Sequence, residues 1–288
     1  MNYRDLLSRL GALYDSGEAR AVVRLLLEKR FALSWTDVLC GAVDGLSSEQ
    51  TEELDLLLCR LEAGEPVQYV LGEAEFYGRT FHVEQGALIP RPETEELVAS
   101  VLSSISTEHE VKVLDIGTGS VCIAITLAFE LQQMLGDETP YSVVGWDISR
   151  EALRIAQGNA EKLSAANIRF EEKDILSDSL STDQRAFSVI VSNPPYICNK
   201  ERADIERQVL DYEPEEALFV PDEDPLLFYR AITLYAKKTL HPGGRLFFEI
   251  NRAYGDATAE LLRSHGFTSV TIRNDQFGNP RIVHGILF

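Results

Sequence analysis

From residue 111 to the end of the chain, short β-branched runs alternate with longer runs of helical period, and that alternation leaves few folds open. The pattern predicts strands at 111–116, 141–147, 167–171, 187–192, 244–250, 268–273 and 281–288. It predicts helices at 95–105, 120–134, 149–163, 225–240 and 254–265. Alternating strand and helix builds an α/β domain, a mostly parallel sheet covered on both faces. The ending departs from this: two strands follow the last helix and are joined through residues 274–280. That predicts a seven-stranded sheet closed by a terminal antiparallel hairpin.

Residues 3–62 read as helices. Leu6, Leu7, Leu10 and Leu13 recur at helical spacing, as do Ala21, Val22, Leu25 and Leu26, and later Leu54, Leu57, Leu58 and Leu61. Ser34-Trp35-Thr36-Asp37 opens a short helix, and Ser47 with Gln50 three residues on has the form of a capping box. A small helical bundle is expected over 1–64. Character changes at Gly64-Glu65-Pro66. Residues 67–89 are rich in β-branched and aromatic side chains, punctuated by Gly72, Gly78 and Gly86, so 65–90 is expected to be a β-hairpin linker. The third segment, 91–288, opens on Arg91-Pro92-Glu93-Thr94-Glu95-Glu96, whose acids suit the first turn of a helix.

Charge narrows the function. The chain has 27 Lys+Arg against 46 Asp+Glu, a net −19. Residues 1–80 hold 8 basic and 14 acidic residues and the rest hold 19 and 32, so both parts are acidic. Nucleic-acid binding draws on Lys and Arg contacts to phosphate, so direct duplex binding is not expected. Cys40, Cys59, Cys122 and Cys198 lack the spacing of a zinc or redox motif and read as buried free thiols in a reducing cytoplasm. The five histidines are scattered, and no metal site is expected. No apolar run approaches the ~18–20 residues of a membrane span. The first ten residues carry Arg4, Asp5 and Arg9 and read as an amphipathic helix, not a secretory signal.

The first strand of the α/β segment runs into Asp115-Ile116-Gly117-Thr118-Gly119-Ser120-Val121. A glycine turn there lets backbone approach a ligand, and the next helix presents free N–H groups. Many α/β folds share such a turn, but three details sharpen it. Asp115 lies inside the turn, where a carboxylate repels a pyrophosphate but suits a cationic amino group. The third glycine of G-x-G-x-x-G is missing. Asp147 ends the next strand, where it can accept from both hydroxyls of a ribose, with Ile148 beside it. Asp174 follows the third strand, where it can meet an adenine amino group, with Ile175 packing on the ring. A lone strand-end acid often only caps a helix; three at successive strand ends point to a ligand at the carboxyl edge of the sheet. The cofactor that fits is S-adenosylmethionine.

Asn193-Pro194-Pro195-Tyr196 follows the fourth strand on the same edge. By itself this is a proline-stiffened turn. Behind a cofactor-type turn it is suited to an amide nitrogen, a poor nucleophile because its lone pair is delocalised. The Asn193 side-chain oxygen and the Pro194 carbonyl accept its two N–H groups, the prolines fix their direction, and Tyr196 supplies a flat wall. As charge develops on nitrogen both acceptors bind more strongly, which favours the transition state. Asn193, Pro194 and Tyr196 are the candidate catalytic residues. Asn193 to Tyr196 form the candidate substrate site, and Asn193 also borders the cofactor.

These residues resemble the bacterial release-factor glutamine methyltransferases, the PrmC/HemK family. The resemblance covers nearly the whole chain. It includes Pro66-Val67-Gln68-Tyr69-Val70-Leu71-Gly72, Phe76-Tyr77-Gly78, and above all Leu88-Ile89-Pro90-Arg91-Pro92-Glu93-Thr94-Glu95. It continues through the glycine turn, Asp147-Ile148-Ser149, Asn193 to Tyr196, Tyr212-Glu213-Pro214 and Pro242-Gly243-Gly244. Asn-Pro-Pro-Tyr is shared with DNA adenine methyltransferases, whereas Arg-Pro-Glu-Thr-Glu discriminates. A nucleic-acid amino-methyltransferase would also need a basic cleft and a target-recognition insertion, for which charge and length give no sign. The resemblance implies a Rossmann-like S-adenosylmethionine-dependent domain behind a helical domain that docks the release factor. It implies methylation of glutamine in the Gly-Gly-Gln motif of class-1 peptide chain release factors, with S-adenosylhomocysteine as product. Two departures stand out. The family pattern has glycine at Val121, where a branched side chain is expected to crowd the methionine end of the cofactor and weaken binding, which would leave a cofactor-fold binding module. It has glycine and glutamine at Asn251 and Tyr254, where Asn251 is expected to tolerate a positive φ.

Overall fold

The computed structural model describes residues 2–106, 109–136, 139–177, 180 and 186–288. Its helices are α1 (Tyr3–Leu10), α2 (Ser16–Phe31), α3 (Trp35–Leu39), α4 (Ser48–Glu62), α5 (Val67–Leu71), α6 (Pro92–Leu102), α7 (Cys122–Leu135), α8 (Arg150–Leu163), α9 (Arg207–Tyr212), α10 (Leu227–Thr239) and α11 (Gly255–Ser264). Its strands are β1 (Glu73–Phe76), β2 (Arg79–His82), β3 (Val111–Ile116), β4 (Tyr141–Asp147), β5 (Ile168–Glu172), β6 (Phe187–Ser192), β7 (Ile197–Cys198), β8 (Phe219–Val220), β9 (Leu240–Glu249), β10 (Phe267–Asn274) and β11 (Pro280–Leu287). The chain divides into two compact units. The first holds the residues through Glu73 with Val83–Gln85 and Glu206–Tyr212, and the second holds the rest.

In the first unit Leu6, Leu10, Leu26, Leu27, Leu54, Leu58 and Leu61 are fully buried together. Leu13, expected on the same face, is exposed. Capping boxes start α1 (Asn2 with Asp5), α3 (Ser34 with Asp37) and α4 (Ser47 with Gln50), each satisfying two otherwise orphaned backbone N–H groups. Residues 67–71 were expected in a hairpin but form α5. Pro66 stands at its N-cap, Gly72 closes it at φ +73°, and burial of Tyr69 and Val70 outweighs their β propensity. The hairpin is confined to β1 and β2, turning at Tyr77 and Gly78 with φ of +50° and +72°.

The second unit is built on one seven-stranded sheet in the order β10-β11-β9-β6-β3-β4-β5. All pairs from β9 to β5 are parallel, while β11 is antiparallel to both β9 and β10. Period-2 alternation sends successive side chains to opposite faces. Val111 and Val113 of β3 join the core under α6, α7 and α8, and Leu114 and Ile116 join the core under α10 and α11. Helix α6 starts three residues before expectation because Pro92 sits in its first turn, where a missing N–H costs nothing. Strand β9 also starts early, with a register shift between Phe187↔Leu240 and Val189↔Arg245 that absorbs Pro242-Gly243-Gly244. The short parallel pair β7–β8, which braces the segment after Tyr196, was not foreseen.

No helix among the described residues is long and apolar enough to cross a membrane. All four cysteines are free; Cys122 and Cys198 are buried, but Cys40 and Cys59 are exposed, contrary to expectation. Cys40 is the C-cap residue after α3, and Cys59 lies in α4.

Candidate active site

Strands β3 and β6 are neighbours, with Ile116 paired to Ser192. The glycine turn and Asn-Pro-Pro-Tyr therefore leave the same edge of the sheet from adjacent strands. Strand order reverses here, with β4 and β5 to one side and β6 and β9 to the other. Open α/β sheets bind ligands at such a switch point. A cavity of about 250 Å³ opens there.

Gly117, Gly119, Asp147, Ile148, Asp174 and Ile175 line this cavity on one side. Asn193, Pro194 and Pro195 line it on the other. Asp115, Thr118, Ser120, Val121 and Tyr196 are not on its wall. Sequence reasoning missed further wall residues: Gly86, Ala87 and Leu88, then Pro214, Glu216 and Ala217, then Phe228 and Ile232. Leu88 and Pro214 fall in family-like stretches, but Phe228 and Ile232 carry no sequence signal beyond their helical spacing.

The turn is anchored to β4. The Gly117 and Thr118 amides donate to the Trp146 carbonyl at 2.8 and 2.9 Å. The Gly119 amide donates to Asp147 Oδ2 at 2.8 Å, and the Ser149 amide to Asp147 Oδ1 at 2.9 Å. Gly145 makes room for this, since a Cβ there would meet Thr118 Oγ1 and Phe170 Cδ1, each at 2.9 Å. Gly117 and Gly119 adopt φ of +73° and +53°, and a Cβ at either would meet nothing within 4 Å. Both glycines thus present open space above a backbone that side-chain-bearing residues adopt at a cost. Asp174 Oδ1 accepts from the Leu176 amide at 2.8 Å.

Asp115 is fully buried; its Oδ2 accepts from Thr118 Oγ1 at 2.6 Å, while Oδ1 has no hydrogen-bond partner. Burial pushes its carboxyl up to about 7. Glu249, at the end of β9, is also pushed up to about 7 by burial. Both hold a proton more tightly folded than unfolded. Their contribution to stability is therefore complete below the ordinary carboxyl range and is lost as pH rises through about 7. Unfolding free energy should fall as pH rises from the ordinary carboxyl range to about 7, by up to about 1.4 kcal/mol per pH unit for each group, and level off above it. The fall should shrink in Glu249→Gln; a slope identical to the parent's would show that Glu249 does not contribute.

Val121 does not crowd the cavity as expected. Its side chain is fully buried in the core under α7. The departure from glycine shows in the backbone instead, at φ +68° and ψ +14°, a region costly for a β-branched residue. Val121→Gly relieves that strain while losing buried methyl groups, whereas Val121→Ala keeps the strain and loses them too. The glycine variant should therefore be more stable than the alanine variant by about 1 kcal/mol, the reverse of their order in helices. Urea denaturation measures this, and an alanine variant of equal or greater stability would refute the strain. Asn251 has an ordinary φ of −63°, so no positive-φ tolerance is called on. Its side chain accepts from the Ala253 amide at 3.0 Å and donates to the Tyr196 carbonyl at 3.2 Å. Tyr254 places its hydroxyl 3.3 Å from Cys198 Sγ.

At the other side of the cavity, Asn193 Nδ2 donates to Thr94 Oγ1 at 3.4 Å. Among the described residues, none donates to Asn193 Oδ1 or to the Pro194 carbonyl. Two acceptors on successive residues are thus free where the cavity is. Tyr196 points its hydroxyl toward Glu249 Oε1 at 3.5 Å, and burial raises its pKa. No group of three or more His, Cys, Asp or Glu among the described residues is arranged to hold a metal ion.

A glycine turn and a pair of free acceptors at one switch point define a Rossmann-like methyltransferase, and residues 107–272 match the methyltransferase domain family model. Residues 3–72 match the PrmC N-terminal domain model. A release factor glutamine methyltransferase from Flavobacterium psychrophilum is 41% identical over 98% of this chain and 97% of its own length. Another from Bacteroides thetaiotaomicron is 41% identical over 94% of each. The chain belongs to the release factor glutamine methyltransferase family. Among solved structures, a methyltransferase from Pyrococcus furiosus covers 83% of this chain and 98% of its own at TM-score 0.51 and 16% identity, a likeness of fold alone.

Proposed function

We propose that this chain methylates the side-chain amide nitrogen of the glutamine in the Gly-Gly-Gln segment of class-1 peptide chain release factors. S-adenosylmethionine is the methyl donor and S-adenosylhomocysteine the product. The observation that carries the reading is the pair of free acceptors, Asn193 Oδ1 and the Pro194 carbonyl, beside a glycine-turn cavity. The cavity suits the cofactor: open space lies over Gly117 and Gly119, and Asp147 and Asp174 stand on its wall. Asp147 would hold the ribose, Asp174 and Ile175 the adenine, and Ile148, 58% exposed on the wall, would cover it.

Bound there, the cofactor supplies a methyl group on a cationic sulfur. The chain's own residues orient the attacking nitrogen and stabilise the charge that develops on it. Asn193 and Pro194 accept its two N–H groups, and they bind more strongly as positive charge builds. Holding the amide plane toward the methyl removes much of the entropic barrier. In this reading the helical segment 1–64 docks the release factor, and its likeness to the PrmC N-terminal domain supports that role.

The test is incubation with purified release factor and S-adenosylmethionine, then mass spectrometry of the Gly-Gly-Gln peptide. A gain of one methyl on that glutamine is expected. No gain, with cofactor binding intact, would point to another substrate.

A further inference from the structure

Beneath Asn193 lies a chain of hydrogen bonds that the proposed chemistry does not itself require. Glu249 is 2% exposed and Thr94, in the first turn of α6, is 3% exposed. Thr94 Oγ1 donates to Glu249 Oε2 at 2.7 Å. The single hydroxyl proton of Thr94 is thereby committed, and what it offers Asn193 is a lone pair. Asn193 meets it with Nδ2, at 3.4 Å. A carboxamide has a donor side and an acceptor side, so drawing Nδ2 toward Thr94 turns Oδ1 the other way.

We propose that Thr94 and Glu249 are positioning residues whose hydrogen-bond chain holds the Asn193 amide with its oxygen, not its nitrogen, toward the substrate amide. This rests on the function proposed above. The flipped amide would set N–H against the substrate's N–H groups and lose the acceptor when charge builds. Simple tying of α6 to β9 would use the Thr94–Glu249 bond alone and would place no demand on which side of the amide faces Thr94.

The polarity depends on Glu249 being an acceptor. A protonated Glu249 can donate to Thr94, whose hydroxyl is then released to donate to Asn193 Oδ1 and favour the flipped amide. Several groups bear on that carboxyl. Arg281 of β11, itself paired to Asp275, favours the charged form, as does the hydrogen bond from Thr94. Glu93 opposes it, and Tyr196, Tyr229 of α10 and Cys122 of α7 face it as neutral groups. Burial outweighs Arg281 and Thr94 and pushes the carboxyl up to about 7, so the chain is poised near neutrality.

Thr94→Val, Thr94→Ser and Glu249→Gln in the full chain test this. Turnover is read at saturating release factor and cofactor, and cofactor affinity by calorimetry. Thr94→Val should lower kcat about 10-fold or more with cofactor affinity unchanged, because the reacting amide is misplaced and not unbound. Thr94→Ser should stay within about threefold of the parent. Parental kcat should fall on the acid side of neutrality, and Glu249→Gln, whose carboxamide oxygen still accepts, should flatten that limb. Burial pushes Asp115 up to about 7 as well, and reading kcat at saturating cofactor keeps cofactor binding out of the comparison. Parental kcat in Thr94→Val, or Thr94→Ser falling as far as Thr94→Val, would overturn the proposal.

A second readout is independent of activity. The Asn193 carboxamide NMR resonances, assigned with Asn193→Asp, should shift across neutral pH in the cofactor-free protein and lose that response in Thr94→Val. If the parent methylates no release factor, the functional reading fails while this titration still decides the positioning. A carboxamide that is unmoved by pH in both the parent and Thr94→Ser overturns it, even where the valine variant does not fold.

Discussion

Asn193→Ala should cut turnover roughly 100-fold or more while leaving cofactor affinity within a few-fold of the parent, as expected for loss of a transition-state hydrogen-bond partner. The argument is one of charge. A glutamine amide nitrogen carries little basicity until it reacts, so an acceptor on its N–H gains most of its strength as the new bond forms. Asn193 Oδ1 has no other described donor, and Asn193 lines the cavity that Gly117 and Gly119 share. Kinetics at saturating cofactor and release factor separate the two roles. A loss confined to KM would make Asn193 a binding residue, and near-normal turnover would remove it from the mechanism. Asn193→Asp is a sharper comparison. Its carboxylate keeps an acceptor toward the substrate but turns a second oxygen onto the lone pairs of Thr94, whose proton is committed to Glu249. It should lose activity as well, despite carrying more negative charge.

The sheet was readable because its strands are period-2 apolar runs between glycine- and acid-rich turns; β3, β4 and β6 begin and end where the pattern puts them. What sequence pattern cannot carry is adjacency. The glycine turn and Asn193 become neighbours only because β3 pairs with β6, Ile116 to Ser192. The links around Asn193 span 99 residues to Thr94 and a further 155 from Thr94 to Glu249. Arg-Pro-Glu-Thr-Glu stood out as a family-specific stretch, but its physical work was hidden. Arg91 pairs with Glu213, Thr94 bonds Glu249, and Glu95 accepts from the Tyr77 amide at 2.7 Å. Glu96 accepts from the Gln276 amide at 3.2 Å. One helix start thus fastens four separate segments around the site, which no local pattern reports. Val121 was misjudged for a related reason. Sequence shows a side chain where glycine is usual, but only backbone geometry shows whether the missing glycine served space or φ, and here it is φ.

Asp147→Ala should raise the dissociation constant for S-adenosylmethionine about 100-fold, or about 2.7 kcal/mol, measured by calorimetry. Asp147 accepts from the Gly119 and Ser149 amides with different oxygens, and it lines the cavity. Each oxygen keeps a lone pair, and hydrogen bonds to a charged group are worth about 1.5–3 kcal/mol. On the proposed function, loss of the carboxylate would remove the ribose acceptors, and it frees the Gly119 amide from the anchor that shapes the turn. Asp147→Asn retains one acceptor and the shape of the side chain, so it should fall between, near tenfold. The alternative is that Asp147 only stiffens the turn and the start of α8. Melting temperature would then drop while affinity stayed parental, and that outcome would strip Asp147 of a cofactor role. The pH response separates the readings again. Burial raises the Asp147 carboxyl above its ordinary range, against the lowering effect of the Ser149 and Gly119 amides. The carboxyl must be ionised for both of its oxygens to accept at full strength. Affinity should therefore weaken on acidification earlier than an exposed aspartate would allow, and Asp147→Asn should remove that component.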